Sequence, residues 1–181
     1  MADIINITPF SDVYDSFLSK ITDDMYMELE KEDTYKMLEE LLITSIPKFE
    51  FPRVNLFDYE LGKEIEDTEN MTNLYEVGHF NCHLSLEEIN ILSTYMIVEW
   101  LGYQLASIEN VRMKYSGTDF KFTSQANHMQ KLLVLKKDYE REGFHLQRLY
   151  KRRAPGKDGA PKSTLDIIMA PLKKRGAEND N

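Results

Sequence analysis

The chain has 181 residues, 42% hydrophobic and 29% charged, with 8 Gly and 6 Pro. That length supports one domain with its own core, and the composition excludes collagen-like, low-complexity and wholly disordered classes. The net charge of −9 hides a split: residues 1–110 hold 6 Lys+Arg against 23 Asp+Glu, a balance of −17, while residues 111–181 hold 16 against 8, a balance of +8. An asymmetry of that size concerns partners, because solubility of a single chain does not require it.

In chain order, Thr8 and Pro9 fit an N-cap and first helical position. Phe10, Val13, Tyr14, Phe17, Leu18 and Ile21 then recur at helical spacing, which predicts a short amphipathic helix. Residues 23–33 form an acidic surface segment. A second helix is expected from about Asp33 to Ile46, with Tyr35, Leu38, Leu41 and Leu42 inward and Pro47 and Pro52 as stops. Residues 53–83 change character. Val54, Leu56, Phe57 and Tyr59 read as one strand, Leu74, Tyr75, Val77 and Phe80 as another, and residues 60–70 as a charged loop between them, so a β-hairpin with a long tip is expected.

Ser85-Leu86-Glu87-Glu88 is a capping box. The helix it opens is expected to reach about Val111, roughly 40 Å at ~1.5 Å per residue. Its apolar residues, Trp100 among them, cover more than one face, which suits a helix held between a core and another subunit. Residues 112–123 break the pattern and interleave Tyr115, Phe120 and Phe122 with Lys114 and Lys121, as an ordered loop would. Ser124 is then expected to cap a fourth helix to about Arg153, with Leu132, Leu135, Tyr139, Leu146 and Leu149 as its stripe. Two long helices joined in this way pack as an antiparallel pair. The fold class expected is mainly α: a helical bundle with that pair, a small β-hairpin and an extended C-terminal tail. Residues 1–153 make the domain and 154–181 the tail. After the Pro- and Gly-rich linker 154–161 the tail holds an apolar island, Leu165, Ile167, Ile168, Met169 and Leu172, followed by Lys173-Lys174-Arg175. Such an island folds back on its own domain or docks on another.

The single cysteine, Cys82, cannot close an intramolecular disulfide, so a reducing compartment is expected. Asp3 and the absence of a long apolar run argue against a signal peptide. Residues 89–108 are interrupted by Asn90, Ser93, Thr94, Glu99 and Gln104, too polar for an unassisted membrane span, so no membrane partner is expected.

Catalytic signatures are missing from the sequence: it has no P-loop, no dinucleotide-binding glycine pattern, no nucleophile elbow and no zincin motif. His79, Cys82 and His83 are three metal-ligating types within five residues. Zinc sites draw on two such clusters, however, and His128 and His145 lie far off in a helical pattern with no second cysteine. Neither an enzyme nor a cofactor or metal is expected. The basic run Arg148, Lys151, Arg152, Arg153 exceeds what a helix C-terminus needs and fits sequence-independent contact with phosphates. No base-reading motif accompanies it.

Three segments carry a resemblance: residues 41–53 (LLITSIPKFEFPR), residues 84–92 (LSLEEINIL) and residues 115–128 (YSGTDFKFTSQANH). Over residues 8–153 the chain resembles the head-to-tail connector (neck or adaptor) proteins of tailed bacteriophages. The resemblance implies a structural virion protein assembled in the host cytoplasm. It would form a homo-oligomeric ring, typically a dodecamer, beneath the portal protein, extend the channel for double-stranded DNA, and seat the next neck or tail-completion protein. It also implies that a C-terminal segment reaches the portal, a role that falls here on Leu165, Ile167, Ile168, Met169 and Leu172. Ring contacts would come from Trp100, Tyr115, Phe120 and Phe122. Arg148, Lys151, Arg152 and Arg153 would face DNA or an acidic portal surface. The alternative is a helical, sequence-independent nucleic-acid-binding or regulatory protein.

Overall fold

The computed structural model describes residues 7–21, 31–67, 72–114 and 122–153, with backbone only for residues 65–67, 72–74, 109–114 and 122–126. The elements in order are β1 (Thr8–Pro9), α1 (Phe10–Leu18), α2 (Lys31–Ser45), a 3-10 turn (Ile46–Lys48), β2 (Tyr59–Glu60), β3 (Lys63–Asp67), β4 (Thr72–Glu76), β5 (His79–Phe80), α3 (Leu86–Lys114) and α4 (Phe122–Arg152). The described residues are thus mostly helical, with two small antiparallel sheets. In one, β5 lies between β1 and β2; in the other, β3 pairs β4 from Lys63↔Glu76 to Asp67↔Thr72.

Thr8 is a strand residue and not the helix cap that its position before Pro9 suggests. Its hydroxyl donates to the Cys82 carbonyl at 3.0 Å and accepts from the Leu84 amide at 2.8 Å, so it ties the N-terminal strand to the entry of α3. Pro9 occupies the cap position without a side-chain bond, and the Phe10 amide is satisfied by the Gly78 carbonyl at 2.9 Å. Phe10 meets Phe80 edge-on at 4.8 Å, and Val13, Tyr14 and Phe17 continue the buried face. The acidic first turn of α2, Glu32 and Asp33, complements the helix dipole, while Leu38, Leu41, Leu42 and Ser45 go inward. Pro47 falls inside the 3-10 turn that ends the helix.

The hairpin is real but displaced along the sequence. Val54, Leu56 and Phe57 are not strand residues: Asn55 Oδ1 accepts from the Phe57 amide at 3.1 Å, which turns the chain, and Phe57 is 66% exposed. Only the first strand moves: it lies at Lys63–Asp67, where a charged loop is expected, while Thr72–Glu76 and His79–Phe80 fall where the second strand is expected, with a break at Val77 and Gly78. Cross-strand pairing of Lys63 with Glu76 at 3.0 Å and stacking of Tyr75 on Tyr35 of α2 at 5.7 Å let a polar ribbon form against the helix.

The capping box of α3 forms as the sequence predicts: the Ser85 amide donates to Glu88 Oε2 at 2.8 Å and the Glu88 amide to Ser85 Oγ at 3.4 Å. The helix runs past Val111 to Lys114, and α4 starts at Phe122, before Ser124, so part of the expected loop 112–123 is helical. Glu88 meets Tyr150, Tyr95 meets Gln147, and Gly102 faces Lys136. Contacts in that order make α3 and α4 antiparallel.

The stripe expected on α4 is not its buried seam. Gly143, Gln147 and Tyr150 are buried, Leu132, Tyr139, Leu146 and Leu149 are half-buried, and Leu135 is exposed. A Cβ at Gly143 would lie 2.8 Å from Tyr95 Cζ, so the missing side chain lets Tyr95 sit against the α4 backbone and turns the leucine stripe toward the flank. Beyond Leu101 on α3, and before Gly143 on α4, no side chain described is buried. The far part of the pair is therefore covered only in part, with Leu132 and Tyr139 still packed at the edge of the core. No helix among the described residues is long and apolar enough to cross a membrane.

Candidate functional site

The end of α4 is fixed by a polar junction. Tyr150, buried, donates its hydroxyl to the buried Glu88 carboxylate and accepts from the Arg53 amide at 3.3 Å. The Arg53 guanidinium stands 3.9 Å over the Tyr150 ring and donates to the carbonyls of Tyr150 and Arg153. Burial first, then the Glu88 carboxylate, pushes the Tyr150 hydroxyl well above the usual phenol range. One turn earlier, Gln147 donates to the Lys48 carbonyl at 2.9 Å and to Tyr95 Oη at 2.5 Å, and accepts from the Glu50 amide at 2.8 Å. Three sequence-distant segments are thereby locked together. Sequence reasoning missed Arg53, Gln147 and Tyr150, since a polar residue on an amphipathic helix gives no sign that its partners come from another segment. The capping box was the one signal that flagged Glu88.

This junction divides the basic run into two kinds of cation. Arg153 pairs with Glu87 and its carbonyl is held by Arg53, so it belongs to the scaffold. Arg148, Lys151 and Arg152 are exposed and pair with no carboxylate among the described residues. Arg148 lies 5.9 Å over Phe144, and Lys151 Nζ 3.9 Å over Phe51, contacts that set the direction of each cation without neutralising it. Asp33, Glu40, Glu60 and Glu76 are exposed on α2 and the strands. Lys31, Lys36 and Lys63 are exposed beside those acids, and Asp138, Glu140 and Glu142 are exposed on α4, so each side of the split carries both signs.

The projecting part of the helix pair exposes Tyr103, Leu133, Val134 and Leu135, with Phe144 beside its base. Leu133, Val134 and Leu135, about 100° apart on the helix, spread around its outer side. Trp100, half-buried at the root of the projection, has a buried Nε1 with no hydrogen-bond partner among the described residues. Phe122 begins α4 in backbone terms. Tyr115, Phe120 and residues 154–181, the expected docking tail with Leu165, Ile167, Ile168, Met169 and Leu172, lie outside the described residues.

His79, Cys82 and His83 do not come together with other ligating side chains: no group of three His, Cys, Asp or Glu residues able to hold a metal occurs among the described residues. Burial, with Glu88 and Asp58, raises the Cys82 thiol above its ordinary pKa, the opposite of what a nucleophile needs. No protein-family model matches the chain, and neither a curated protein nor a solved structure matches it.

Proposed function

We propose that the protein is a head-to-tail connector of a tailed phage, a structural component of the virion neck that forms a ring of about twelve copies under the portal. The observation that carries this reading is the part of the α3–α4 pair beyond Leu101 and before Gly143, where no described side chain is buried and Tyr103, Leu133, Val134 and Leu135 are exposed. An isolated domain gains nothing from that arrangement, whereas a ring buries it at every subunit boundary. The residues 41–53, 84–92 and 115–128 that resemble connector proteins support it from the sequence side.

In this reading the helices form a bundle with the long antiparallel pair as its axis, Trp100, Tyr115, Phe120 and Phe122 contribute to ring contacts, and residues 154–181 extend to the portal. The ring surrounds double-stranded DNA without reading its sequence and seats the next neck protein. Mixing the protein with portal dodecamers and imaging by negative stain tests it: a ring added to each portal is expected, and removal of residues 154–181 releases it. Portals that stay bare with the intact chain overturn the reading.

A second reading, a sequence-independent nucleic-acid binder, draws on Arg148, Lys151 and Arg152, which pair with no carboxylate among the described residues. It requires that the isolated protein bind free duplex DNA, with log K falling against log salt by about 0.9 per phosphate contacted.

A further inference from the structure

A cleft of about 140 Å³ opens between α3 and α4, lined by Glu87, Asn90, Ile91, Leu146, Leu149 and Arg153. It is smaller than the ~300–1,000 Å³ of sites that enclose a small-molecule ligand, and fits one or two apolar side chains. Its apolar wall is the leucine stripe that Gly143 turned out of the seam. At 100° per residue Leu135, Glu142, Leu146 and Leu149 share one flank of α4. Leu146 and Leu149 are half-buried against α3 while Leu135 is exposed, so the stripe is covered on one side only.

We propose that this cleft receives the chain's own apolar island, Leu165 to Leu172. The chain leaves the described structure from Arg153, which forms the lip of the cleft. Eleven residues, 154–164, then lead to Leu165, enough to span about 40 Å when extended, and Leu149 lies only about one helical turn before the exit. Pro155, Gly156, Gly159 and Pro161 suit a reversal of direction. Charge fits as well. Glu142, exposed on the same flank two turns before Leu149, pairs with no cation among the described residues, and the island is followed at once by Lys173-Lys174-Arg175. One or two of the island's side chains occupy the cleft in the free protein. The contact goes beyond the connector reading and does not depend on it.

The test uses the full chain with Cys82→Ser, carrying either Leu149→Cys with Ile168→Cys, or Lys151→Cys with Ile168→Cys. Lys151 is as near the chain exit as Leu149 but lies across the helix from the cleft. Under mild oxidation of dilute protein, the Leu149 pair is expected to close within one chain about tenfold faster than the Lys151 pair, as read by mass and peptide mapping. Glu142→Lys is expected to slow it. Leu146→Cys with Ile168→Cys gives the same readout should the Leu149 variant lose its helical circular dichroism. Equal rates for the two pairs, or disulfides formed only between chains, overturn the proposal. No portal is present, so either result leaves the ring test of the connector reading independent.

Discussion

Lys20 directs its ammonium at the α3 backbone and side chains, with Ser93 Oγ at 2.5 Å, Asn90 Oδ1 at 2.8 Å and the Asn90 carbonyl at 3.3 Å, and with no carboxylate among the described residues. Burial lowers its pKa to about 8, against an ordinary value of 10.5. Between these values the unfolded chain binds more protons than the folded one, so stability rises with pH over that window. Above about 10 the sign reverses: Tyr14 and Tyr150, raised chiefly by burial, stay protonated in the fold while the unfolded chain ionises. Thermal melts between pH 7 and 11 are expected to show a rise and then a fall. Lys20→Met should remove the rise and leave the fall, and a rise that persists in the variant assigns it to another group. Tyr150→Phe acts at a second buried contact. It leaves the Glu88 carboxylate without its phenol donor, which costs about 1–3 kcal/mol by urea denaturation. In a Glu88→Gln background, where no charge is stranded, the loss should be smaller.

Helix propensity alone predicts that Gly143→Ala stabilises α4 by about 1 kcal/mol. The Cβ, however, would meet Tyr95 Cζ at 2.8 Å and Cε1 at 2.9 Å, and that ring cannot swing away freely because Gln147 holds its hydroxyl. The clash is therefore expected to win, with a net loss of about 1–3 kcal/mol in denaturant midpoints. A stabilised variant would mean that Tyr95 repacks without penalty. This glycine also explains where the sequence was misleading. Leu132, Leu135, Tyr139, Leu146 and Leu149 have the spacing of a buried stripe, yet the seam runs through Gly143, Gln147 and Tyr150, two of which score as polar or neutral. Periodicity reports which side chains are apolar, not how close two backbones come. The Ser85–Glu88 box was legible because both partners of its bonds lie within one turn. The strand at Lys63–Asp67 was not, since its pairing with Thr72–Glu76 and the docking of Tyr75 on Tyr35 are invisible in its own composition. The same holds for Thr8, whose partners are Cys82 and Leu84.

Two kinds of contact could join copies of the whole molecule, and salt separates them. Apolar contact through Leu133, Val134 and Leu135 is little affected by ions, whereas attraction between exposed cations of α4 and exposed acids of α2 and the strands is screened beyond about 10 Å at 0.1 M salt. The unpaired state of Arg148 and Arg152 makes them the informative pair, because their reversal breaks no ion pair among the described residues. Sedimentation of the free protein at about 50 mM and about 500 mM salt is the measurement. Arg148→Glu with Arg152→Glu is expected to weaken self-association at low salt and to match the wild type at high salt. Val134→Asp, on the outer side of the projecting helix, is expected to weaken it at both. If the charge reversal acts equally at both salt levels, the −17 and +8 halves are not meeting each other, and the basic surface is left for DNA or the portal. If Val134→Asp changes nothing at either, the projecting helix pair is not a subunit boundary, and the ring reading loses the observation on which it stands.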